Sequence, residues 1–394
     1  CGLNPSLQYQ IDSNFLPDGW RSYMARAVKD KFKKPVINAG NYRDPKVVEK
    51  VLESGDVDIV GMGRGLIAEP NWVNKVAEGE EDILRKCISC NVGCAGNRIG
   101  VNRPIRCTVN PAVPEGDVYK KLKVDKNCNV VVVGGGTAGL EAACTAAEVG
   151  CNVFVLEKSD HLGGLSAFIS DIPSKSRMKD FPIYLEARAA RLNNLYIFLN
   201  TEADVETIKK FKPDIVVNAT GSVPLVPPIA GLKENITAGN VATIFDMINN
   251  LKAGKYPDEF CKDKEVVVVG GGSVGLDVVE YFAPRGAKCT IIDMLPQIGM
   301  LADPITKCSM RETHDKYGVK EYVNTALQEV KENAFTVKLP DGEIKDIKFD
   351  LGFNCLGMRA NNPILDQLNE AFADTETYVY PIGDSVRARR IMEG

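Results

Sequence analysis

Four things are missing from this sequence of 394 residues, and each absence closes a class of function. There is no basic excess: 48 Lys and Arg stand against 52 Asp and Glu, so no charged stripe suggests a nucleic-acid partner. No apolar run reaches the roughly 20 residues of a membrane-spanning helix. The start, Cys1-Gly-Leu-Asn-Pro5, has neither the charged nor the apolar region of a secretory signal. It also lacks an initiator Met, which fits a fragment or a processed chain. Finally, the twelve cysteines do not form a disulfide framework. Four cluster at Cys87, Cys90, Cys94 and Cys107, and others sit inside apolar stretches (Cys144, Cys151, Cys289, Cys355). That is the pattern of a reducing compartment with one metal site. The expectation is a cytoplasmic protein acting on a small-molecule substrate, without nucleic acid or membrane. A homo-oligomer is compatible with the pattern, which does not select one.

What is present begins with a unit written twice, 136 positions apart. Val130-Val-Val-Val-Gly134-Gly-Gly136-Thr-Ala-Gly139-Leu140 returns as Val266-Val-Val-Val-Gly270-Gly-Gly272-Ser-Val-Gly275-Leu276. In the same register Gly150 matches Gly286, Glu157 matches Asp293, and Gly163 matches Gly299. Each copy reads as strand, G-x-G-x-x-G turn, helix, strand and terminal acid. The first glycine allows the tight turn, the second lets the backbone approach a pyrophosphate, and the third packs helix on strand. The helix N-terminus favours the phosphate, and the acid accepts hydrogen bonds from an adenosine ribose. Two such turns in register predict two dinucleotide sites.

Differences between the copies assign them. After Glu157 the first copy carries Gly163-Gly164, which permits close approach to a longer dinucleotide. The strand ending at Thr220-Gly221 and the late Gly383-Asp384 complete a predicted FAD site. The second copy has Gly299-Met300 instead, which suits NAD(H). Asp293 would repel a ribose 2′-phosphate, so NADH is preferred to NADPH. His161, on the loop after Glu157, is read as a structural or exposed group, and Pro284 as the terminator of its helix.

The cysteines are spaced C-x2-C-x3-C-x12-C. Four thiolates on a loop suit either a tetrahedral zinc or a [4Fe–4S] cube, and the neighbouring nucleotide units favour the cube. Before them, a helix from Trp20 to Phe32, a strand over 35–40, a helix from Pro45 to Ser54 and a strand over 57–62 read as two parallel βα units. Two units cannot bury a parallel sheet or close a barrel, so this segment looks like the tail of a larger domain. Gly40 and Gly63-Arg64 end its strands, where barrels often bind phosphate.

Taken together, the order of parts resembles the NADH:flavin oxidoreductases of the 2,4-dienoyl-CoA reductase, trimethylamine dehydrogenase and 2-enoate reductase group, including clostridial bile-acid enzymes. The resemblance rests on Gly61-Met-Gly-Arg64-Gly-Leu-Ile-Ala-Glu-Pro70, Cys87-Ile-Ser-Cys90-Asn-Val-Gly-Cys94, Cys107-Thr-Val-Asn-Pro111, both nucleotide units and Gly383-Asp-Ser-Val-Arg-Ala-Arg-Arg390. It implies FMN in an N-terminal barrel with its phosphate at Gly40, Gly63 and Arg64, and a [4Fe–4S] cluster on the four cysteines. FAD and NAD(H) follow. Electrons would pass from NADH through FAD, the cluster and FMN to an activated C=C bond. The family's first six barrel strands, with its proton-donating Tyr or His groups, would lie before Cys1, so no catalytic residue is assigned here. A further helix would follow Gly394. The implied architecture is α/β. It comprises the C-terminal part of a (β/α)8 barrel over 1–86, an iron–sulfur segment over 87–125, an FAD domain over 126–234 and 348–394, and an inserted NAD domain over 235–347. A glutamate-synthase small-subunit-like module and an inactive nucleotide-binding fragment are the competing readings. A disulfide reductase is disfavoured because no redox cysteine pair follows Gly163-Gly164.

Overall fold

Val130–Val133 are four β-branched residues running into a glycine turn, and in the computed structural model they form the middle of a parallel sheet. Residues 7–114, 116 and 122–393 are described. The start of the chain and part of the expected linker (115, 117–121) lie outside them. The chain divides into two units, the larger comprising Tyr9–Phe168, Arg177–Gly221 and Ala360–Gly394. The smaller comprises Ile169–Ser176 and Ser222–Arg359, with the start of the chain to Gln8.

In the larger unit, β1 (Ile37–Asn38) and β2 (Ile59–Val60) pair in parallel, each preceded by a helix (Ser22–Phe32 and Pro45–Glu53). Both strands are shorter than the sequence suggested, and Ile37 and Ile59 remain exposed. Then β3 (Asn129–Val133), β4 (Asn152–Leu156), β5 (Leu195–Phe198) and β6 (Ile215–Asn218) join the strand Tyr378–Pro381 in a five-stranded sheet. Its order is Tyr378–Pro381, β6, β3, β4, β5, every pairing parallel. Buried on both faces, such strands read as unbroken apolar runs. Val130 and Val132 pack with Ala143 and Ala147 of the helix Thr137–Val149, while Val131 and Val133 pack with Ile208, Leu368 and Phe372. Each fully buried valine contributes about 1.5–3 kcal/mol.

In the smaller unit, β7 (Ser222–Pro224) opens the segment and β8 (Val241–Thr243) edges a second parallel sheet. That sheet has the order β11 (Lys320–Tyr322), β10 (Lys288–Ile292), β9 (Glu265–Val269), β15 (Leu351–Asn354), β8. A three-stranded antiparallel meander, β12 (Ala326–Lys331), β13 (Ala334–Lys338) and β14 (Ile344–Lys348), supplies Val330, Phe335 and Val337 to its core. The turn between β13 and β14 contains Asp341-Gly342, the pair expected to mark a hairpin. β16 (Met358–Ala360) then pairs with β7.

One boundary differs from the sequence reading, which returned the chain to the first unit at residue 348. β15 instead pairs with β9 and β8, and the return comes after Arg359. Residues 222–234 likewise group with the smaller unit, not with 126–221. The physical reason is visible in the repeat. Asn354-Cys-Leu-Gly357 stands 136 positions after Asn218-Ala-Thr-Gly221 and closes its own copy's sheet.

Candidate functional site

Both glycine turns are built from the same hydrogen bonds. In the first copy Gly134 N donates to Leu156 O at 2.9 Å and Ala219 N to Val133 O at 2.8 Å. In the second, Gly270 N donates to Ile292 O and Cys355 N to Val269 O, both at 2.8 Å. A Cβ on Gly139 would lie 1.9 Å from Gly134 O, and one on Gly275 1.9 Å from Gly270 O. Only glycine lets the helix come that close to its own turn.

The two acids act alike. Glu157 Oε2 accepts from Gly135 N at 2.7 Å and Oε1 from Ser159 N at 2.7 Å. Asp293 Oδ2 accepts from Gly271 N at 2.6 Å and Oδ1 from Leu295 N at 2.8 Å. Each carboxylate thus fixes its glycine turn and keeps further lone pairs for a ribose.

The second-loop glycines also meet the turn. Gly163 N donates to Gly135 O at 2.9 Å, and a Cβ on Gly164 would come within 2.9 Å of Gly136 Cα. Gly383 lies against Ala138, where a Cβ would meet the alanine Cβ at 2.9 Å. Gly383 and Asp384 are thereby brought beside the start of the helix Thr137–Val149. Thr220 Oγ1 lies within hydrogen-bond reach of Asn218 Oδ1 and Asn361 O, and Gly221 O accepts from Asn361 N. Asn218 Nδ2 and, at the matching position of the second copy, Asn354 Oδ1 are buried without a protein partner. At Gly272 a Cβ would meet nothing within 4 Å, so that turn stands open. His161 is exposed beside Asp160.

The four cysteines gather on one loop system. Ser89 and Asn91 adopt positive φ (53° and 58°), winding the chain tightly between Cys87 and the helical turn Val92–Gly100 that carries Cys94. Gly93 lets the segment bearing Cys107 close in: Arg106 N donates to Gly93 O at 2.7 Å, and a Cβ there would lie 2.6 Å from Arg106 O. Donors converge on the sulfurs. Ser89 N donates to Cys87 Sγ at 3.4 Å, and Thr108 Oγ1 lies 3.2 Å from Cys90 Sγ. Backbone N–H groups of Val92, of Ala95, and of Val109 and Asn110 serve Cys90, Cys94 and Cys107 respectively. Burial pushes the Cys90 thiol up to about 12 and Cys107 to about 11, with Cys94 also raised. Thiolates here would be costly without a compensating positive centre.

Cys87, Cys90 and Cys107 pack against a core of Ala68, Ile88, Val109, Leu140, Phe181, Tyr184 and Leu185. Leu140 directly follows the third glycine of the first copy, so cysteine loop and nucleotide helix share one core. The helix Asp180–Ala190 seals it. Arg188 pairs with Glu148 at 2.6 Å and Glu141 at 2.8 Å, and Tyr184 OH accepts from Arg85 at 2.6 Å.

On the other side lies a cavity of about 390 Å³ lined by Gly40, Asn41, Gly63, Arg64, Cys87 and Cys94, among others. Arg64 is held there by Asp12 O (2.6 Å), Asn91 Oδ1 (2.5 Å) and Asn41 Oδ1 (3.3 Å). Arg43 lines the same cavity, ion-paired to Asp18 and Asp180, and donates to Cys87 O at 3.2 Å. Asp12, Asn41, Asn91 and Arg43 had not been singled out from the sequence. Asp12 reaches Arg64 across 52 residues, a pairing no local pattern announces. Asn41 and Asn91 carried the one available hint, since asparagine tolerates the left-handed backbone both adopt.

Known proteins resemble this chain in sequence and fold. The pyridine nucleotide-disulphide oxidoreductase model matches residues 183–380, half of the chain. The NADH:flavin oxidoreductase / NADH oxidase family model matches 11–82, and an FAD dependent oxidoreductase model matches 129–170. The chain belongs to the NADH:flavin oxidoreductase family that carries pyridine nucleotide-disulphide oxidoreductase domains. FAD, FMN and NAD(H) are the cofactors of these families. The chain is 36% identical to an NADH oxidase of Thermoanaerobacter brockii, over all of this chain and 59% of that protein. It is 31% identical to a cinnamate reductase of Clostridium sporogenes, over 69% of this chain and 38% of that one. A 2-naphthoyl-CoA reductase, solved with 2-naphthoyl-CoA, superposes with a TM-score of 0.86 at 28% identity, over 97% of this chain and 56% of that one. The chain therefore spans only part of the length of these relatives. Among the described residues, no helix is long and apolar enough to cross a membrane.

Proposed function

We propose that this chain is the electron-input part of an NADH-dependent oxidoreductase that reduces an activated carbon–carbon double bond. FAD belongs at the first glycine turn with Glu157, and NADH at the second with Asp293. A [4Fe–4S] cluster belongs on Cys87, Cys90, Cys94 and Cys107, and an FMN phosphate at Gly40, Gly63 and Arg64. The observation that carries this reading is the continuity within the larger unit. The helix of the first turn, through Leu140, shares a core with three cysteines, and two cysteines line the cavity that holds Arg64.

Bound there, the flavins would supply hydride chemistry and the cluster one-electron transfer between them. The residues supply position and charge. Glu157 holds its turn and offers a carboxylate to ribose. Backbone N–H groups around the cysteines stabilise anionic sulfur. Asp12, Asn41 and Asn91 hold the Arg64 guanidinium in place for an anionic oxygen, and Ile88, Val109 and Leu140 keep water from the sulfurs.

A cluster is favoured over zinc by the C-x2-C-x3-C-x12-C spacing of the four cysteines beside two nucleotide units, where electrons must move. A reducing, cytoplasmic setting fits cysteines buried within the apolar cores, Cys151, Cys289 and Cys355 among them. The substrate class, a conjugated enoyl compound, is suggested by relatives named for cinnamate and 2-naphthoyl-CoA, both unsaturated beside a carboxyl carbon.

Anaerobic titration of the flavin-loaded protein with NADH tests the reading. Bleaching of the flavin absorbance is expected. Bound flavin that stays oxidised under excess NADH overturns it.

A further inference from the structure

Away from the glycine turns, at the opposite end of the larger unit's sheet, two thiols face each other. β3 and β4 run parallel with Asn129 opposite Asn152, which sets Cys128 opposite Cys151 one position earlier. Asn152 N donates to Cys128 O at 2.8 Å, so the pairing already holds at that rung. Cys128 shares its face of β3 with Val130 and Val132, and Cys151 its face of β4 with Val153 and Val155. All six belong to one apolar cluster. Both sulfurs therefore point to the same side. Neighbouring strands lie about 4.8 Å apart, inside the roughly 4.4–6.8 Å Cα separation that a disulfide bridges.

The second copy shows that the fold does not require this pair. Its corresponding rung has the same bond, Lys288 N to Lys264 O at 2.9 Å, but the residues matching Cys128 and Cys151 are Lys264 and Ala287. Exposure differs within the pair: Cys128 is half-buried, and Cys151 is 4% exposed. Burial first, then the neighbouring Cys151 side chain, push the Cys128 thiol up to about 12.

We propose that Cys128 and Cys151 form a reversible disulfide when the protein meets a peroxide-class oxidant. In the first step the Cys128 sulfur attacks one peroxide oxygen. The O–O bond breaks, a sulfenic acid forms, and one water leaves. Then the Cys151 sulfur attacks the Cys128 sulfur, the S–O bond breaks, and the hydroxyl leaves as a second water with the Cys151 proton. One hydrogen peroxide and two thiols thus give one disulfide and two waters, and two electrons pass from sulfur to oxygen. A dithiol reductant restores the pair by thiol–disulfide exchange.

The folded protein is treated with hydrogen peroxide, its remaining thiols are alkylated, and its peptides are mapped by mass spectrometry. A cross-linked Cys128–Cys151 peptide, two hydrogens lighter than the sum of its parts and lost on reduction, is expected. The Cys128→Ser variant should yield no such peptide. The Cys151→Ser variant should expose the intermediate, so that dimedone labels Cys128 in this variant and not in the parent protein. Recovery of both residues fully alkylated after peroxide, or of Cys128 joined to another cysteine, would overturn the proposal.

Discussion

The two dinucleotide copies share a scaffold to within about a tenth of an ångström in their key hydrogen bonds, yet they spend their remaining residues differently. The 136-residue register breaks after the second strand. Glu157 N donates to Phe198 O and Asp293 N to Tyr322 O, partners only 124 positions apart. The register returns at Asp214 and Asp350, whose side chains accept from Asn129 N and Glu265 N at 2.7 and 2.8 Å. Two insertions of equal net length, at different places, cancel. The first copy places its surplus between its second and third strands, including the helix Asp180–Ala190, and so builds the core behind the cysteines. The second places its surplus in the antiparallel meander and buries it in its own sheet's core. A shared scaffold thus leaves room for the first copy to share a core with the cysteine loop while the second packs its surplus on its own sheet.

Substitutions in the turns should break both copies, with separable consequences. Gly139→Ala forces a Cβ against Gly134 O and should abolish flavin retention, read by bound-flavin absorbance. Gly275→Ala meets the same obstacle and should abolish NADH reactivity while flavin stays bound. Gly272→Ala, with open space around it, should leave folding intact.

Next come the insertions. Leu185→Ala and Phe335→Ala each remove a fully buried side chain, costing about 2–5 and 3–5 kcal/mol respectively. Thermal unfolding should register both, but only Leu185→Ala should lower iron content. Equal iron loss in the two variants would contradict the division of labour.

The acids sharpen the comparison further. Glu157→Gln and Asp293→Asn each weaken charge-assisted bonds worth about 1.5–3 kcal/mol. Flavin affinity should fall roughly ten- to a hundredfold in the first, and NADH affinity by a similar factor in the second. Each variant should spare the other ligand, as equilibrium titrations would show.

The smallest effect concerns pH. Backbone and side-chain hydrogen bonds from Thr207 hold Asp204 below the usual carboxylate range, and a hydrogen bond from Lys331, then one from Thr336, does so for Asp346. Because both folded values are depressed, their stabilisation is complete above the ordinary carboxylate range and is lost as pH falls through the folded values. Acid unfolding of Asp204→Asn and Asp346→Asn should therefore converge on the parent protein at low pH. Added salt should weaken the Asp346 contribution, which rests first on an exposed ion pair with Lys331, more than that of Asp204, which rests first on hydrogen bonds from Thr207.

The scaffold was legible because its constraints are local: valine runs, glycines where backbones touch, and an acid at a strand end. The cysteine set was legible from spacing. The sealing core was not, since Phe181, Tyr184 and Leu185 reach Ile88 and Val109 from about 75–100 positions away. The anchors of Arg64 were hidden for the same reason. The mistaken boundary at 348 arose from reading the Asn354–Gly357 strand end as the first copy's continuation. It is the second copy's own equivalent of Asn218–Gly221.

The proposed relay requires that the cysteine loop hold a cluster fed through the first copy. Iron and acid-labile sulfide analysis of anaerobically prepared protein, followed by electron paramagnetic resonance during NADH titration, tests it most directly. Iron and sulfide in equal amounts are expected, with a reduced-cluster signal that grows as the flavin bleaches. Stoichiometric zinc without sulfide, or a bleached flavin beside a cluster that never reduces, would contradict it.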